Sequence, residues 1–314
     1  MKNGASGSPS TACLQAGLYL CIAAFVVAPN CAWAAEDQGT TAPWDSLIRI
    51  RGPLPSSEGV TEYRTLSEYQ PGWQPVRIIL PSHIEKGRRY PVLYLLPVEP
   101  DATEAKRWGS ALFEARKMNL ANHFGFICVA PVFAQMPWYA DHPTDPLIRQ
   151  ESYFLKVIVP LAEHFLPAQT DPAGRLLLGF SKSGNGAFSL LLRYPERFGC
   201  AAAWDMPLFQ SKPDRWGMDI VYATQENFEN YRFVPLVLKR QEELRKTPAR
   251  RLTLLGYDVY KDQVQQGDEE LRKLGVPHFF ANDTWRKHSW SSGWFPEAVK
   301  DLATCSSELG ASKP

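Results

Sequence analysis

The sequence predicts an α/β fold in which a mostly parallel central sheet carries helices on both faces. Short apolar runs alternate with helical patterns from about residue 73 to the end of the chain, which is typical of successive βαβ units. Hydrophobic residues make up 45% and charged residues 21% of the 314 residues, as in ordinary globular proteins. The formal net charge of +1 gives no overall attraction to nucleic acid.

The first 34 residues have the pattern of a signal peptide. Lys2 is their only charged residue, an apolar run extends from Gly17 to Ala28, and Ala32 and Ala34 form an A-x-A cleavage pattern. The apolar run is short for a membrane span, although an N-terminal anchor is the alternative. We therefore expect a periplasmic or secreted protein that has no membrane segment after cleavage.

The remainder divides into an N-terminal arm and one domain. Residues 35–72 are rich in Ser, Thr, Pro and Gly and have weak periodicity, so we expect an arm there, followed by a domain over residues 73–314. Predicted strands are Val76–Leu80, Tyr90–Leu96, Phe124–Ala130, 175–180, 200–204, Arg251–Gly256 and 277–282. Predicted helices begin at Thr103 and cover Asp145–Leu166, 184–195, 234–246, 262–275 and 296–309, with a kink at Pro160.

A serine lies at the junction of one such strand and helix, in "LLLGFSKSGNGAF". Ser181 follows the buried strand directly, with Gly179 two residues before it and Ser183 two residues after it. This arrangement is the G-x-S-x-small pattern of a nucleophile elbow, in which a strained turn presents a serine at the edge of a sheet. The alternative is a tight glycine-rich turn with helix-capping serines. Ser183 is the poorer nucleophile candidate, because its neighbours two positions away are Ser181 and Asn185.

A nucleophilic serine needs a base and an acid that orients the base, in the chain order Ser, Asp or Glu, His. Two histidines follow Ser181. His278 opens a predicted strand, which favours a structural role, whereas His288 lies in the loop "RKHSWSSGW" at the edge where ligands bind in open α/β sheets.

Three carboxylates are candidates for the acid. Asp258 follows a predicted strand by two residues and is the favoured candidate, while Asp205 ends another predicted strand at the same edge. Asp262 is the third, and its position also suits a helix N-cap.

Four ordered segments resemble the esterase D family of α/β-hydrolases, which includes enterochelin esterases, S-formylglutathione hydrolases and feruloyl and acetylxylan esterases. They are "YPVLYLLP", "GFSKSGNGAFSLLLRYPERFG", "GYDVYKDQVQQGDEELRKLGVP" and "KHSWSSGW". The resemblance implies an α/β-hydrolase fold and a serine hydrolase that cleaves a carboxylic ester through an acyl-enzyme. The triad it implies is Ser181, Asp258 and His288.

The loop expected to form the oxyanion hole departs from this family. One N–H donor would come from Lys182, the residue after the nucleophile. The other would come from Val98 or Glu99, because the family's glycine pair is replaced by "PVEP" and Pro97 has no N–H. Loss of one donor costs about 10²–10³ in rate, so a weak or silent enzyme acting as a binding protein is the alternative. A peptidase is a third and less favoured interpretation.

The substrate is expected to be a small-molecule or polymer-linked ester, either carbohydrate-linked or phenolic. Trp138, Tyr139, Asp205 and Trp290 are the candidate substrate-binding residues, because they lie in predicted loops at the ligand-binding edge. We expect no cofactor and no metal, since the cysteine spacing suits no zinc site. Cys128, Cys200 and Cys305 remain after signal cleavage, and the sequence leaves their pairing open.

Overall fold

The computed structural model describes residues 39–57, 59–100, 106–247 and 249–311. The predicted signal peptide lies outside them. Within this part of the chain, one ten-stranded sheet has the order β1-β2-β3-β4-β6-β5-β7-β8-β9-β10. The strands are β1 (Thr40–Ala42), β2 (Asp45–Pro55), β3 (Thr61–Ser67), β4 (Gln70–Ile79), β5 (Val92–Leu95), β6 (Ile127–Pro131), β7 (Arg175–Phe180), β8 (Cys200–Trp204), β9 (Leu252–Leu255) and β10 (His278–Ala281).

The six strands from β5 to β10 are parallel, as the alternating pattern predicts. Every residue of β5, β7, β8 and β9 is buried, because helices cover both faces of this half. All six carboxyl ends meet at one edge of the sheet. The loops that follow β5, β7, β8, β9 and β10 carry Glu99, Ser181, Asp205, Asp258 and His288, respectively.

The N-terminal arm predicted over residues 35–72 is not an arm in the described residues. From Thr40 onward the chain forms β1 to β4, an antiparallel extension that joins the parallel half where β4 pairs with β6. Ile48 and Ile50 in β2 are buried, but Leu47, in the same strand, is 65% exposed. An exposed leucine and the nearby prolines obscure the period-2 pattern that would have revealed this strand.

Ten α-helices have described bounds, and eight of them pack on the two faces of the sheet, whereas α6 and α7 form a separate cluster. They are α1 (Ala111–Lys117), α2 (Leu120–Phe124), α3 (Gln150–Tyr153), α4 (Val159–Phe165), α5 (Lys182–Arg193), α6 (Met218–Tyr222), α7 (Gln225–Glu229), α8 (Phe233–Lys246), α9 (Lys261–Lys273) and α10 (Phe295–Ala311). Buried residues of α1, α2 and α10 pack on one face, and those of α3 to α5, α8 and α9 pack on the other. In the described part of the chain, no helix is both long enough and apolar enough to cross a bilayer.

Two predicted helices are interrupted. In the described part of the segment predicted to be helical from Thr103, residues 108–110 are not helical, and Asn119 between α1 and α2 has a φ of 49°, which a continuous helix does not allow. The segment Asp145–Leu166 is helical from Gln150, with a π-helical turn at Phe154–Ile158 before α4. Pro160 is the second residue of α4, where a proline is tolerated, but its missing N–H and bulky ring are incompatible with one continuous α-helix from α3 into α4.

Two of the three described cysteines are bonded. Cys200 at the start of β8 and Cys305 in α10 form a disulfide that closes a loop with a sequence separation of 105. Cys128 is a free, buried thiol in β6, and burial raises its pKa to about 12. Cys128 therefore behaves as a small apolar core residue.

Candidate active site

Ser181 occupies the strained turn between β7 and α5. Its φ of 53° and ψ of −125° lie outside the regions that non-glycine residues usually adopt. Its N–H donates to Trp204 O at 2.9 Å, which holds the turn against the end of β8. A Cβ on Gly179 would lie 2.2 Å from Ser183 O, so only glycine fits two residues before the serine. The local geometry is that of the predicted nucleophile elbow.

Ser183 braces this turn from inside. Its hydroxyl accepts from Phe180 N and donates to Phe180 O, both at 2.9 Å, and the side chain is fully buried. The hydroxyl thereby satisfies two backbone groups of the residue that precedes Ser181. Ser183 is a structural element of the elbow, in agreement with its lower rank as a nucleophile.

His288 is paired with Asp205. The ring nitrogen Nδ1 lies 2.6 Å from Asp205 Oδ2, and the Asp205 side chain is fully buried while that of His288 is 10% exposed. A carboxylate on Nδ1 fixes the ring orientation and favours the tautomer whose Nε2 is free to accept a proton. The two side chains have the relation of a catalytic base to its orienting acid.

The backbone aims the Asp205 carboxylate at this ring. Asp205 follows β8 directly with a φ of 43°, which is unusual for an aspartate. Its Oδ2 also accepts from Val259 N at 2.9 Å, and its Oδ1 accepts from Tyr260 N at 2.7 Å. These N–H donors fix the position of the carboxylate beside His288.

Asp258, the favoured acid in the sequence analysis, is not the carboxylate that bonds the imidazole. Its Oδ2 accepts the backbone N–H of His288 at 2.7 Å. Asp258 thus holds the histidine loop, whereas Asp205 holds the histidine ring. Asp262, the third candidate, is exposed in the first turn of α9.

Three aromatic rings surround the His288 ring. The ring centroids lie 4.4 Å from that of Phe180, 5.2 Å from that of Trp108 and 5.6 Å from that of Tyr260. Among the described residues no direct hydrogen bond joins Ser181 to His288, and Phe180, which precedes Ser181, packs against the imidazole ring. Such bonds are often long in unliganded sites and tighten when substrate binds.

Trp108 and Tyr260 are the site residues that sequence reasoning missed. Trp108 lies in a segment with a helical pattern, and Tyr260 precedes a helix. No local sequence pattern therefore marks either residue as part of a functional site. Burial raises the pKa of Tyr260 to about 12, and the charge of Asp205 adds to the effect. Tyr260 is therefore a neutral phenol at physiological pH.

The predicted oxyanion residues are brought together beside the elbow. Lys182 opens α5, and the N–H groups in the first turn of a helix point out of its N-terminus. Val98 and Glu99 in the loop after β5 are 1% and 4% exposed. Lys182 Nζ lies 3.2 Å from Glu99 Oε1, so the two segments are linked by a buried ion pair.

The aromatic residues predicted to bind substrate are buried instead. Trp138, Tyr139 and Trp290 are each at most 1% exposed. Trp138 packs in a separate cluster with α6 and α7, the Tyr139 hydroxyl donates to Pro97 O at 2.8 Å, and Trp290 packs against Phe180. Their apolar surface stabilises the loops around the site. Asp205, the fourth predicted residue, is the partner of His288 described above.

No group of three or more His, Cys, Asp and Glu side chains in the described ranges could hold a metal ion. The chemistry that this arrangement can perform rests on a strained serine, a buried His–Asp pair and the backbone donors around them. These are the parts of a nucleophilic serine site.

Comparisons with known proteins show the family to which the chain belongs. A family model named Esterase, with the description "Putative esterase", matches residues 67–248, more than half of the chain. The chain belongs to this family of α/β-hydrolase esterases, and its enzyme class is that of a carboxylic ester hydrolase. No curated protein matches the sequence.

Solved structures share the fold at low identity. A ferulic acid esterase aligns with a TM-score of 0.63 and 21% identity, over 79% of this chain and 98% of its own. FphF, a fluorophosphonate-binding serine hydrolase of Staphylococcus aureus, aligns with a TM-score of 0.62 and 15% identity over 79% and 98%. An S-formylglutathione hydrolase from Agrobacterium tumefaciens aligns with a TM-score of 0.60 and 16% identity over 80% and 97%.

Proposed function

We propose that the protein is an exported serine esterase whose catalytic triad is Ser181, His288 and Asp205. The observation that carries this proposal is the 2.6 Å contact between His288 Nδ1 and the buried Asp205 carboxylate at the edge where Ser181 is presented. The proposal replaces Asp258 of the sequence-based triad by Asp205. Asp258 then has a positioning role, because it binds the backbone of the base rather than its ring.

The mechanism follows from these positions. His288 Nε2 removes the proton of Ser181 as its oxygen attacks the ester carbonyl, and Asp205 stabilises the imidazolium that forms. The protonated His288 then donates to the leaving alcohol, which leaves an acyl group on Ser181. Water, activated by His288, attacks the acyl-enzyme and regenerates the serine.

The tetrahedral intermediates carry a negative charge that needs preorganised donors. The backbone N–H of Lys182 is one donor in this proposal, and the loop of Val98 and Glu99 supplies the second. The burial of both segments favours the proposal, since a donor in a water-excluded site acts more strongly on a developing charge than an exposed one.

The compartment and the substrate are part of the proposal. The predicted cleavage pattern and the Cys200–Cys305 disulfide both favour an oxidising, extracytoplasmic location, periplasmic or secreted. A ferulic acid esterase and an S-formylglutathione hydrolase share the fold, and export fits a carbohydrate-linked or phenolic ester better than a cytosolic thioester.

The proposal is tested by hydrolysis of a short-chain chromogenic acyl ester with the purified protein and its His288→Ala variant. A fluorophosphonate reagent is applied in parallel, and the labelled peptide is identified by mass spectrometry. We expect turnover by the wild type, loss of about 10³-fold or more in the variant, and the label on Ser181.

A folded wild type without turnover and without label would contradict the proposal and favour the silent binding protein. Faster cleavage of a matched peptide amide than of the ester would favour a peptidase instead. A label on Ser183 would reject the assignment of the nucleophile but not the enzyme class.

A further inference from the structure

A buried ion pair lies where the elbow meets the loop after β5. Lys182 Nζ and Glu99 Oε1 are 3.2 Å apart, and their side chains are 9% and 4% exposed. Removal of one partner from such a pair leaves an uncompensated buried charge, whereas neutralisation of both partners is often tolerated. The charges of Lys182 and Glu99 are therefore coupled.

The Glu99 carboxylate also reaches the far side of the site. Trp108 Nε1 donates to the same Oε1 at 3.1 Å, and the Trp108 ring meets the His288 ring edge to face. Trp108 O accepts from Trp290 N at 2.9 Å and from Ser289 Oγ at 3.1 Å. Glu99 thus connects the elbow to the aromatic residue that supports the histidine loop.

A negatively charged carboxylate at this position would destabilise the anionic intermediate of ester hydrolysis. The same two segments flank the position where negative charge develops in the tetrahedral intermediate, and an unpaired anion nearby would oppose that charge. The ammonium of Lys182 cancels this effect. Arg107 also approaches Glu99, at 3.9 Å, but its side chain is 66% exposed, so solvent screens it.

We propose that the Lys182 side chain has a positioning role separate from that of its backbone N–H. It neutralises Glu99, so that the carboxylate can brace the oxyanion loop against Trp108 without opposing the charge of the intermediate. This inference rests on the proposed esterase function.

A double-mutant cycle on the full chain tests the inference with Lys182→Met, Glu99→Gln and the combination of both. Lys182→Met and Glu99→Gln both keep the backbone N–H of the substituted residue, so the cycle reports on side chains alone. We expect Lys182→Met to lower kcat by about 10²-fold with KM changed by less than about threefold, because Lys182 then no longer balances the charge of Glu99 beside the intermediate. The double variant should regain at least about tenfold of that loss, because the offending charge is gone.

Arg107→Met is the matched control, since it removes a cation near Glu99 from an exposed position. Its kcat should stay within about twofold of the wild type. Thermal unfolding of each variant shows whether it is folded, and Lys182→Gln replaces Lys182→Met if the latter does not fold.

Two outcomes are distinguishable. If the wild type hydrolyses esters but the double variant is no better than Lys182→Met, the inference fails and the proposed function stands. If the folded wild type neither hydrolyses esters nor takes the fluorophosphonate label on Ser181, both fail together.

Discussion

Two neighbouring strands end in the same kind of bend but secure it differently. β7 is followed directly by Ser181 with a φ of 53°, and β8 is followed directly by Asp205 with a φ of 43°. Each bend donates its N–H to the end of the next strand, Ser181 to Trp204 O at 2.9 Å and Asp205 to Leu255 O at 2.7 Å. Both bends thereby direct a functional side chain out of the carboxyl edge of the sheet.

The difference lies in what stabilises each bend. The Ser181 bend needs a glycine two residues earlier and an internal hydroxyl two residues later. The Asp205 bend has Ala203 two residues earlier, and its carboxylate is held by the N–H groups of Val259 and Tyr260 from another loop. The first bend is stabilised locally, whereas the second depends on contacts distant in sequence.

The largest expected effect is the loss of kcat when Ser181, at the first bend, is replaced. Ser181→Ala should lower kcat by about 10⁴-fold or more, because no nucleophile remains. Ser183→Ala is the matched control two residues away, and it should keep the fluorophosphonate label on Ser181 while destabilising the fold by about 1–3 kcal/mol. Ester kinetics and mass spectrometry of the labelled peptide check both expectations, and equal losses of kcat would contradict the separation of roles.

The two bends also differ in the room for a side chain two residues before each of them. Gly179→Ala should lower the free energy of unfolding by about 3 kcal/mol or more, because its Cβ would lie 2.2 Å from Ser183 O. Ala203→Gly at the equivalent position of the second bend should cost only about 1 kcal/mol. Urea unfolding of both variants measures the difference. A Gly179→Ala variant as stable as Ala203→Gly would mean that the elbow is not sterically constrained.

β8, the strand that leads into the second bend, is linked to α10 by a disulfide. Cys200→Ser together with Cys305→Ser should lower the free energy of unfolding by about 2–4 kcal/mol, because the disulfide closes a long loop. Cys200 is at the opposite end of β8 from Asp205, so kcat at 25 °C should stay within about twofold. Urea unfolding and ester kinetics are the measurements, and a large loss of kcat in a folded variant would show that the disulfide also shapes the site.

The same contrast explains how much the sequence could predict. The nucleophile elbow could be predicted from the sequence because the residues that form it are close in the chain. Gly179, Ser183 and the flanking apolar runs all lie within a few residues of Ser181. His288 could be predicted as the catalytic base because only two histidines follow Ser181 in the sequence. The parallel half of the sheet could be predicted because its strands are continuous apolar runs between helical patterns.

Asp205 could not be separated from Asp258 in this way, because both lie at the correct edge of the sheet. The choice depends on which carboxylate reaches the imidazole, and that follows from the φ of Asp205 and from N–H donors more than fifty residues away. The burial of Trp138, Tyr139 and Trp290 likewise depends on how the loops fold over one another. β1 to β3 and the first half of β4 were missed because their alternation is broken by exposed apolar residues and prolines, whereas the predicted strand Val76–Leu80 matches the end of β4.

The most direct test of the account compares Asp205→Asn with Asp258→Asn under saturating ester. Asparagine preserves shape in both cases and removes the charge, so the pair of variants isolates which carboxylate orients and stabilises the imidazolium. We expect Asp205→Asn to lower kcat by about 10⁴-fold and Asp258→Asn to lower it by only about tenfold, since an amide oxygen can still accept the His288 backbone N–H. A larger loss in Asp258→Asn than in Asp205→Asn, with both variants folded, would contradict the triad of Ser181, His288 and Asp205.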